Sequence, residues 1–253
     1  MSLVQVESFD WGCTRLWLNR PEARNALNQA MREALIAALL EADQLDETRV
    51  ILIQGRGKHF CAGGDLLEFA QDTPERLRAR GADRIWAVLG SLRKPVIAAV
   101  HGVAAGAGCE LALSADLLIA ADDAELGQPE VGWGLIPGGG ATQRLVHRIG
   151  YAQAARMVLC GLRTRADDMA HSGLVSAVVP SEALEKAALD HAQLLAQRSP
   201  AALQLAKTAL RAAESLPLGQ GMAFERRAFE SLFGTPDQRE GASAFQDRRS
   251  PHF

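Results

Sequence analysis

The chain has 253 residues, of which 48% are hydrophobic and 23% charged, and a net charge of -3. It is long enough to bury the core of one large domain, or of a domain with a small appendage, without disulfide or metal staples. The mildly acidic balance argues against a nucleic-acid partner, which demands a strong basic field, but leaves room for a local basic patch facing one phosphorylated small molecule.

Residues 3–9 and 12–18 alternate apolar and polar side chains around Asp10-Trp11-Gly12, the pattern of an opening hairpin. Residues 28–45 set Met31, Leu35, Ala38, Leu39 and Ala42 on one helical face, with Asn28 as N-cap. Val50-Ile51-Leu52-Ile53 is a continuous apolar run ending at Gly55, as a buried strand requires. Thr73-Pro74-Glu75 predicts a helix start, and that helix is expected to run to about Ser91. Residues 95–100 read as the next buried strand, residues 110–114 as helix and residues 117–121 as strand.

This β-α-β alternation implies parallel strands with helical crossovers. From Thr164 onward the pattern is mostly helical. Thr164-x-x-Asp167, Ser181-Glu182, Ser199-Pro200 and Thr235-Pro236-Asp237-Gln238 are four start signals, the last a capping box. A short strand is expected at residues 175–179. The sequence therefore divides into an α/β core over residues 1–190 and a helical piece over residues 191–253. That piece is too short to hold a core alone, so it must pack on its own core or on a neighbouring subunit.

Cys13, Cys61, Cys109 and Cys160 stand singly, without a Cys-x-x-Cys pair, and read as reduced thiols. The opening residues carry no basic segment followed by a long apolar one. No apolar run reaches the ~18 residues that cross a bilayer. The protein is read as cytoplasmic, with no membrane partner. The six histidines show no metal-ligand spacing. His59 and His101 read as loop histidines bonding backbone rather than as catalytic groups. Ser114 has no base near it in sequence and is rejected as a nucleophile.

Two glycine-rich stretches follow strands: residues 60–66, with Ala62, Gly63 and Gly64 before Asp65 and Leu66, and residues 102–110, ending Gly106-Ala107-Gly108-Cys109-Glu110. Glycine lets backbone amides approach a ligand closely. A helix starting near Gly106–Gly108 aims free N–H groups at an anion, and two such amides facing each other form an oxyanion hole. A dinucleotide motif fails because Leu111 stands where a third glycine belongs, and no Walker-type Gly-Lys-Ser/Thr is present. Glu110 enters an otherwise apolar stretch, and burial there would raise its pKa. Glu130 follows in Gly127-Gln128-Pro129-Glu130, before the glycine loop Ile136-Pro137-Gly138-Gly139-Gly140. Paired carboxylates beside an oxyanion site suit proton transfer at carbon next to a thioester. Asp65 reads as the cap of the helix after it.

Taken in order, these residues resemble the crotonase, or enoyl-CoA hydratase/isomerase, family over nearly the whole chain. The resemblance rests on Leu18-Asn19-Arg20-Pro21, Asn25-Ala26-Leu27, residues 60–66, residues 95–102, residues 106–112, residues 127–130, Ile136-Pro137-Gly138, Thr142-Gln143-Arg144-Leu145, Gly173-Leu174-Val175, residues 233–241 and Arg249-x-Pro251-x-Phe253. It implies a ββα spiral core with a C-terminal helical trimerisation region, assembled as a homotrimer or dimer of trimers.

The resemblance also implies roles. The thioester oxygen would accept from the Gly64 and Ala107 amides. Glu110 would activate water, Glu130 would protonate Cα, and the Gly138 amide would help fix the water. CoA would lie along Ala62, Gly63, Gly64, Asp65 and Leu66, with Arg24 as a phosphate contact, and a neighbouring subunit's CoA would touch Phe229 and Arg248. CoA enters as part of the acyl-CoA substrate, with no separate cofactor and no metal.

One departure is Ala107, where the family most often has glycine. It would be strained if the site needs positive φ. Trp133 reads equally as an acyl-pocket wall or a core residue. The helix near residues 74–91 is expected to wall the acyl pocket. The expected reaction is reversible hydration of 2-enoyl-CoA to 3-hydroxyacyl-CoA. The alternatives are a double-bond isomerase of the same family, or a non-catalytic acyl-CoA- or RNA-binding protein.

Overall fold

The computed structural model describes residues 2–70 and 72–253. The hairpin forms as read: β1 (Val4–Ser8) pairs antiparallel with β2 (Cys13–Leu18). From β2 the main sheet grows by parallel pairing through β3 (Val50–Gly55), β4 (Val96–Val100), β6 (Leu117–Ala121) and β9 (Ala177–Val179). A second, three-stranded layer holds β5 (Val103–Ala105), β7 (Glu125–Gly127) and β8 (Arg163–Arg165). Isolated bridges from Leu27 to Gly64 and from Cys61 to Ala104 extend this layer. Each turn of the chain thus gives one strand to the main sheet, one short extended piece to the second layer, and then helix. This repeat is the expected ββα spiral.

The continuous apolar runs are explained by burial on both sheet faces. Ile51 and Ile53 of β3, and Ala98 and Val100 of β4, join the larger core. There they meet α1 (Gln29–Gln44), α4 (Arg84–Ser91) and α5 (Ala107–Leu113). Val50, Leu52, Ile97 and Ala99 face the other way, against Leu184, Ala188 and Ala192 of α8 (Leu184–Ala196). These three residues are four apart and form one stripe of that helix. Residue 190 lies inside α8, so the helical region beyond the sheet begins with α9 (Pro200–Ala212), α10 (Leu218–Ser231) and α11 (Pro236–Asp247).

Five of the expected caps are in place, one of them Asp65, which accepts from Leu67 N. Asn28 accepts from Met31 N, Thr73 from Arg76 N, Ser199 from Ala202 N and Thr235 from Gln238 N. The capping box is altered: Gln238 Oε1 accepts from Gly234 N, one residue beyond the cap. The single helix expected over residues 73–91 is two helices, α3 (Pro74–Ala79) and α4, separated at Gly81, whose φ of +58° no helix accommodates. Thr164 caps nothing. It lies in β8, paired with Leu126, and the short α7 (Ala166–Met169) has no side-chain cap. Between β7 and β8 the long α6 (Ala141–Leu159) is interrupted by Gly150.

Asn25 locks the approach to the first glycine stretch. It is fully buried and left-handed at φ +57°. Its Nδ2 donates to the carbonyls of Arg56, His59 and Phe60 at 2.9, 2.8 and 3.1 Å, and its Oδ1 accepts from Arg20 N at 2.9 Å. Asn25→Ala leaves these backbone groups unpaired and keeps an unfavourable φ. The expected loss is about 3 kcal/mol or more, read as a lowered urea midpoint at unchanged m-value.

Candidate active site

The strands end where the site begins. After β4 the chain crosses into β5, and Gly106 turns it into α5 at φ +51°, ψ -127°. Gly106 is left-handed, which L side chains rarely adopt, and a Cβ there would crowd Glu130 Oε1 at 2.8 Å. At Gly108 a Cβ would meet the carbonyl of Cys61. The two glycine stretches therefore touch through backbone alone. Ala107 is the first residue of α5 and lies outside the left-handed region, so alanine is unstrained and the turn falls on Gly106. Its N–H is one of the free donors of a helix N-terminus. Among the described residues, neither Ala107 N nor Gly64 N has a backbone acceptor.

These amides open on a cavity of about 790 Å³. Ala62, Gly63, Gly64, Leu66, Ala107, Glu110, Glu130 and Gly138 all line it, so the structure brings most of the expected site together. Pro74, Leu77, Ala82 and Trp86 form a further wall, as expected of this region. Trp133 also lines the cavity and is 64% exposed, which excludes the core reading.

Other expected residues lie apart. Asp65 lines a neighbouring depression, accepts from Leu67 N as the cap of α2 (Leu66–Phe69), and pairs with Arg20 at 2.9 Å. Arg24 is exposed and joins the site only through its carbonyl, which accepts from Ala62 N at 2.9 Å. Phe229 on α10 and Arg248 just after α11 are exposed and not part of the cavity wall. His59 Nδ1 accepts from Val103 N, and His101 Nε2 lies 3.0 Å from the Gly57 carbonyl, so both act as loop histidines. Ser114 Oγ donates to the Glu110 carbonyl.

Glu110 is 2% exposed. Its Oε1 accepts from Gly139 N at 2.6 Å and from Ala141 N at 3.1 Å. Burial raises its pKa, while these amides, the Arg144 charge and the Gly138 amide pull the other way. Glu130 sits on a 3-10 turn (Glu130–Trp133). Burial first, and the Glu110 charge after it, push its pKa up to about 7. Gln128 is wholly buried, and with its amide turned to the orientation that satisfies both of its polar atoms, the nitrogen donates to the two Glu130 carboxylate oxygens at 3.1 and 3.2 Å.

Gln128, Gly139 and Arg144 stood in the quoted motifs without a role, and Ala141 was not named. The glycine loop after Pro137 was the one local sign of the Gly139 contact. Arg144 Nη1 donates to the Gly139 carbonyl at 2.8 Å and so steadies that loop. Cys61 and Cys109 are buried thiols pushed up to about 12, out of the reactive range. Among the described residues no cluster of three or more His, Cys, Asp or Glu side chains could hold a metal.

The chain matches the enoyl-CoA hydratase/isomerase family over residues 10–253. It is 43% identical over 238 residues to a 2,3-dehydroadipyl-CoA hydratase of Escherichia coli K12, covering 94% of this chain and 93% of that one. It is 38% identical to a mitochondrial enoyl-CoA hydratase of Pongo abelii, covering 93% and 81%. Among solved structures, an enoyl-CoA hydratase subunit of Geobacillus kaustophilus superposes with a TM-score of 0.95 at 40% identity, covering 99% and 97%. An enoyl-CoA hydratase of Bacillus anthracis gives 0.94 at 35% identity, covering 99% and 98%. The chain has the crotonase fold and belongs to the enoyl-CoA hydratase/isomerase family.

Proposed function

We propose that the protein hydrates 2-enoyl-CoA thioesters reversibly to 3-hydroxyacyl-CoA. The observation that carries this reading is one cavity holding two free amides, the buried carboxyl group of Glu110 and the half-buried one of Glu130. Addition of water to a conjugated thioester moves negative charge onto the thioester oxygen. The Gly64 and Ala107 amides are suited to receive it, and one such donor is typically worth ~3–4 kcal/mol in the transition state. Glu110, with amides bonded to one oxygen, is suited to be the ionised base that takes a proton from water. Glu130 is suited to be the acid that protonates Cα, with Gln128 fixing its orientation. The Gly138 amide completes the water's surroundings.

Several supports bear on the rest of the reading. Backbone next to Ala62–Leu66, including Arg24, would carry the CoA part. Large apolar side chains on the C-terminal helices stand in solvent, among them Leu218, Phe229, Phe233 and Phe245. Covering them in a homotrimer, or in a dimer of trimers, would bring Phe229 and Arg248 to a neighbour's CoA. The E. coli relative's name adds a dicarboxylic chain to the substrates worth testing. Among the described residues no helix is long and apolar enough to cross a membrane.

Purified protein mixed with a panel of 2-enoyl-CoAs, including 2,3-dehydroadipyl-CoA, is expected to bleach the conjugated-thioester absorbance. Glu110→Gln and Glu130→Gln should each slow this by at least about a hundredfold while leaving the urea midpoint nearly unchanged. Wild-type rates in either variant would remove that residue from the mechanism. Shifting of a 3-enoyl double bond without hydration would identify an isomerase instead.

The pH dependence has a definite sign. A donor must carry its proton, and Glu130 loses it as pH rises through about 7. The kcat/KM for hydration should therefore fall about tenfold per unit above that value. A profile that stays level for about two units beyond it would exclude Glu130 as the donor.

A further inference from the structure

Neither the proton transfers nor the oxyanion donors explain Trp86. On α4 its neighbours Ile85, Val88 and Leu89 turn into the core, whereas Trp86 is half-buried and lines the cavity. A Cβ on Gly139 would lie 2.5 and 2.6 Å from Trp86 Cε2 and Cζ2, and 2.8 Å from Glu110 Oε2. The indole edge and this carboxylate oxygen thus crowd around one point. Oε2 is also the oxygen of Glu110 not engaged by Gly139 and Ala141. The Phe69 ring, also on the cavity wall, covers Gly64, with its Cε2 2.5 Å from where a Cβ would be.

We propose that Trp86 is a specificity-determining residue that restricts the enzyme to enoyl chains bearing a single carbon substituent on Cβ. The inference rests on the hydratase reading and follows from distances. A water activated by Oε2 sits within hydrogen-bond reach of it, about 2.8 Å away. The Cβ it attacks must lie about 3–3.5 Å further on. The indole edge and Oε2 crowd one point of the same cavity, so the substituents of a Cβ attacked there share that volume with the indole. One chain can follow the cavity that Leu77 and Pro74 also line. A second carbon on Cβ needs the volume that the indole already fills, and protein interiors have little slack to yield.

The test compares 2-butenoyl-CoA with 3-methyl-2-butenoyl-CoA in wild type, Trp86→Leu and Trp86→Phe. Using the ratio of kcat/KM values cancels the lower intrinsic reactivity of the branched compound. Trp86→Leu is expected to raise the branched-to-straight ratio about tenfold or more, the usual selectivity worth of one methyl group in an apolar pocket, with Trp86→Phe intermediate. Thermal unfolding establishes that the variants fold, and Trp86→Phe alone decides the matter if Trp86→Leu does not. An equal change on both substrates means that Trp86 merely props the Gly139 loop, and overturns the inference while hydration stands. Wild type inactive on every enoyl-CoA overturns the hydratase reading itself, and this inference with it.

Discussion

The site depends on two stretches of main chain that touch with no side chain between them. Gly108 abuts the Cys61 carbonyl, and a Cβ on Gly63 would lie 2.9 Å from the Ala105 carbonyl. Any side chain at either place forces the second layer away from α5. The contact has chemical consequences because it falls where a helix begins. There the amide of Ala107 has no intrahelical partner, and the neighbouring Gly64 amide has none in the layer beside it. The bridge from Cys61 to Ala104 holds the two stretches at this spacing, and the bridge from Leu27 to Gly64 anchors the first of them. Fixed donors of this kind need no rearrangement when charge develops in front of them.

The same close approach decides where the acids sit. Because Gly106 has no side chain, the Glu130 carboxyl can rest against the turn. Glu110 lies one helical turn on, with its carboxyl bonded to the loop before α6. Burial resists ionisation of both groups, and the Glu110 charge hinders that of Glu130 further. The amides at Glu110 break the symmetry between them by stabilising an anion there. Arg144 does not form a full ion pair with Glu110. It spends its Nη1 on the Gly139 carbonyl and contributes charge from a distance. A direct ion pair would have tied up the carboxylate as a base, whereas this arrangement orients it and leaves Oε2 clear of the Gly139 and Ala141 amides.

What the sequence made legible was local. Strands buried on both faces read as apolar runs, and caps read as Ser, Thr or Asn before a helical face. The break at Gly81 was hidden because the helical signals resume directly after it, and Thr164 looked like a cap although pairing with Leu126 claims it for a strand. The unread contacts span long stretches of chain. Asn25 bonds carbonyls more than thirty positions away, and Glu110 takes amides 29 and 31 residues on. Gln128 carries no local sign that its amide is buried against Glu130. The chemistry-bearing pair was legible because Glu110 stood in an apolar run and both glutamates lay beside glycine loops. The groups that orient the pair became visible only when those loops were brought together.

The two halves of the cavity are built by different forces. The wall with the amides and carboxyls hangs on strands and on α5, whose side chains fill the core. The opposite wall comes from α2, α3 and the start of α4, and neither α2 nor α3 has a buried residue. Ions hold that wall instead. Glu68 accepts from Gln29 N, pairs with Arg32 at 2.8 Å and with Arg80 at 3.1 Å, and Arg80 also pairs with Asp72. Partly buried charge networks hold geometry through directional bonds but add little to stability by bulk. Side chains on this wall can therefore be exchanged without disturbing the main-chain contact that creates the donors. This arrangement keeps the chemistry fixed while the acyl-facing wall is free to vary, and Trp86 stands where the two walls meet.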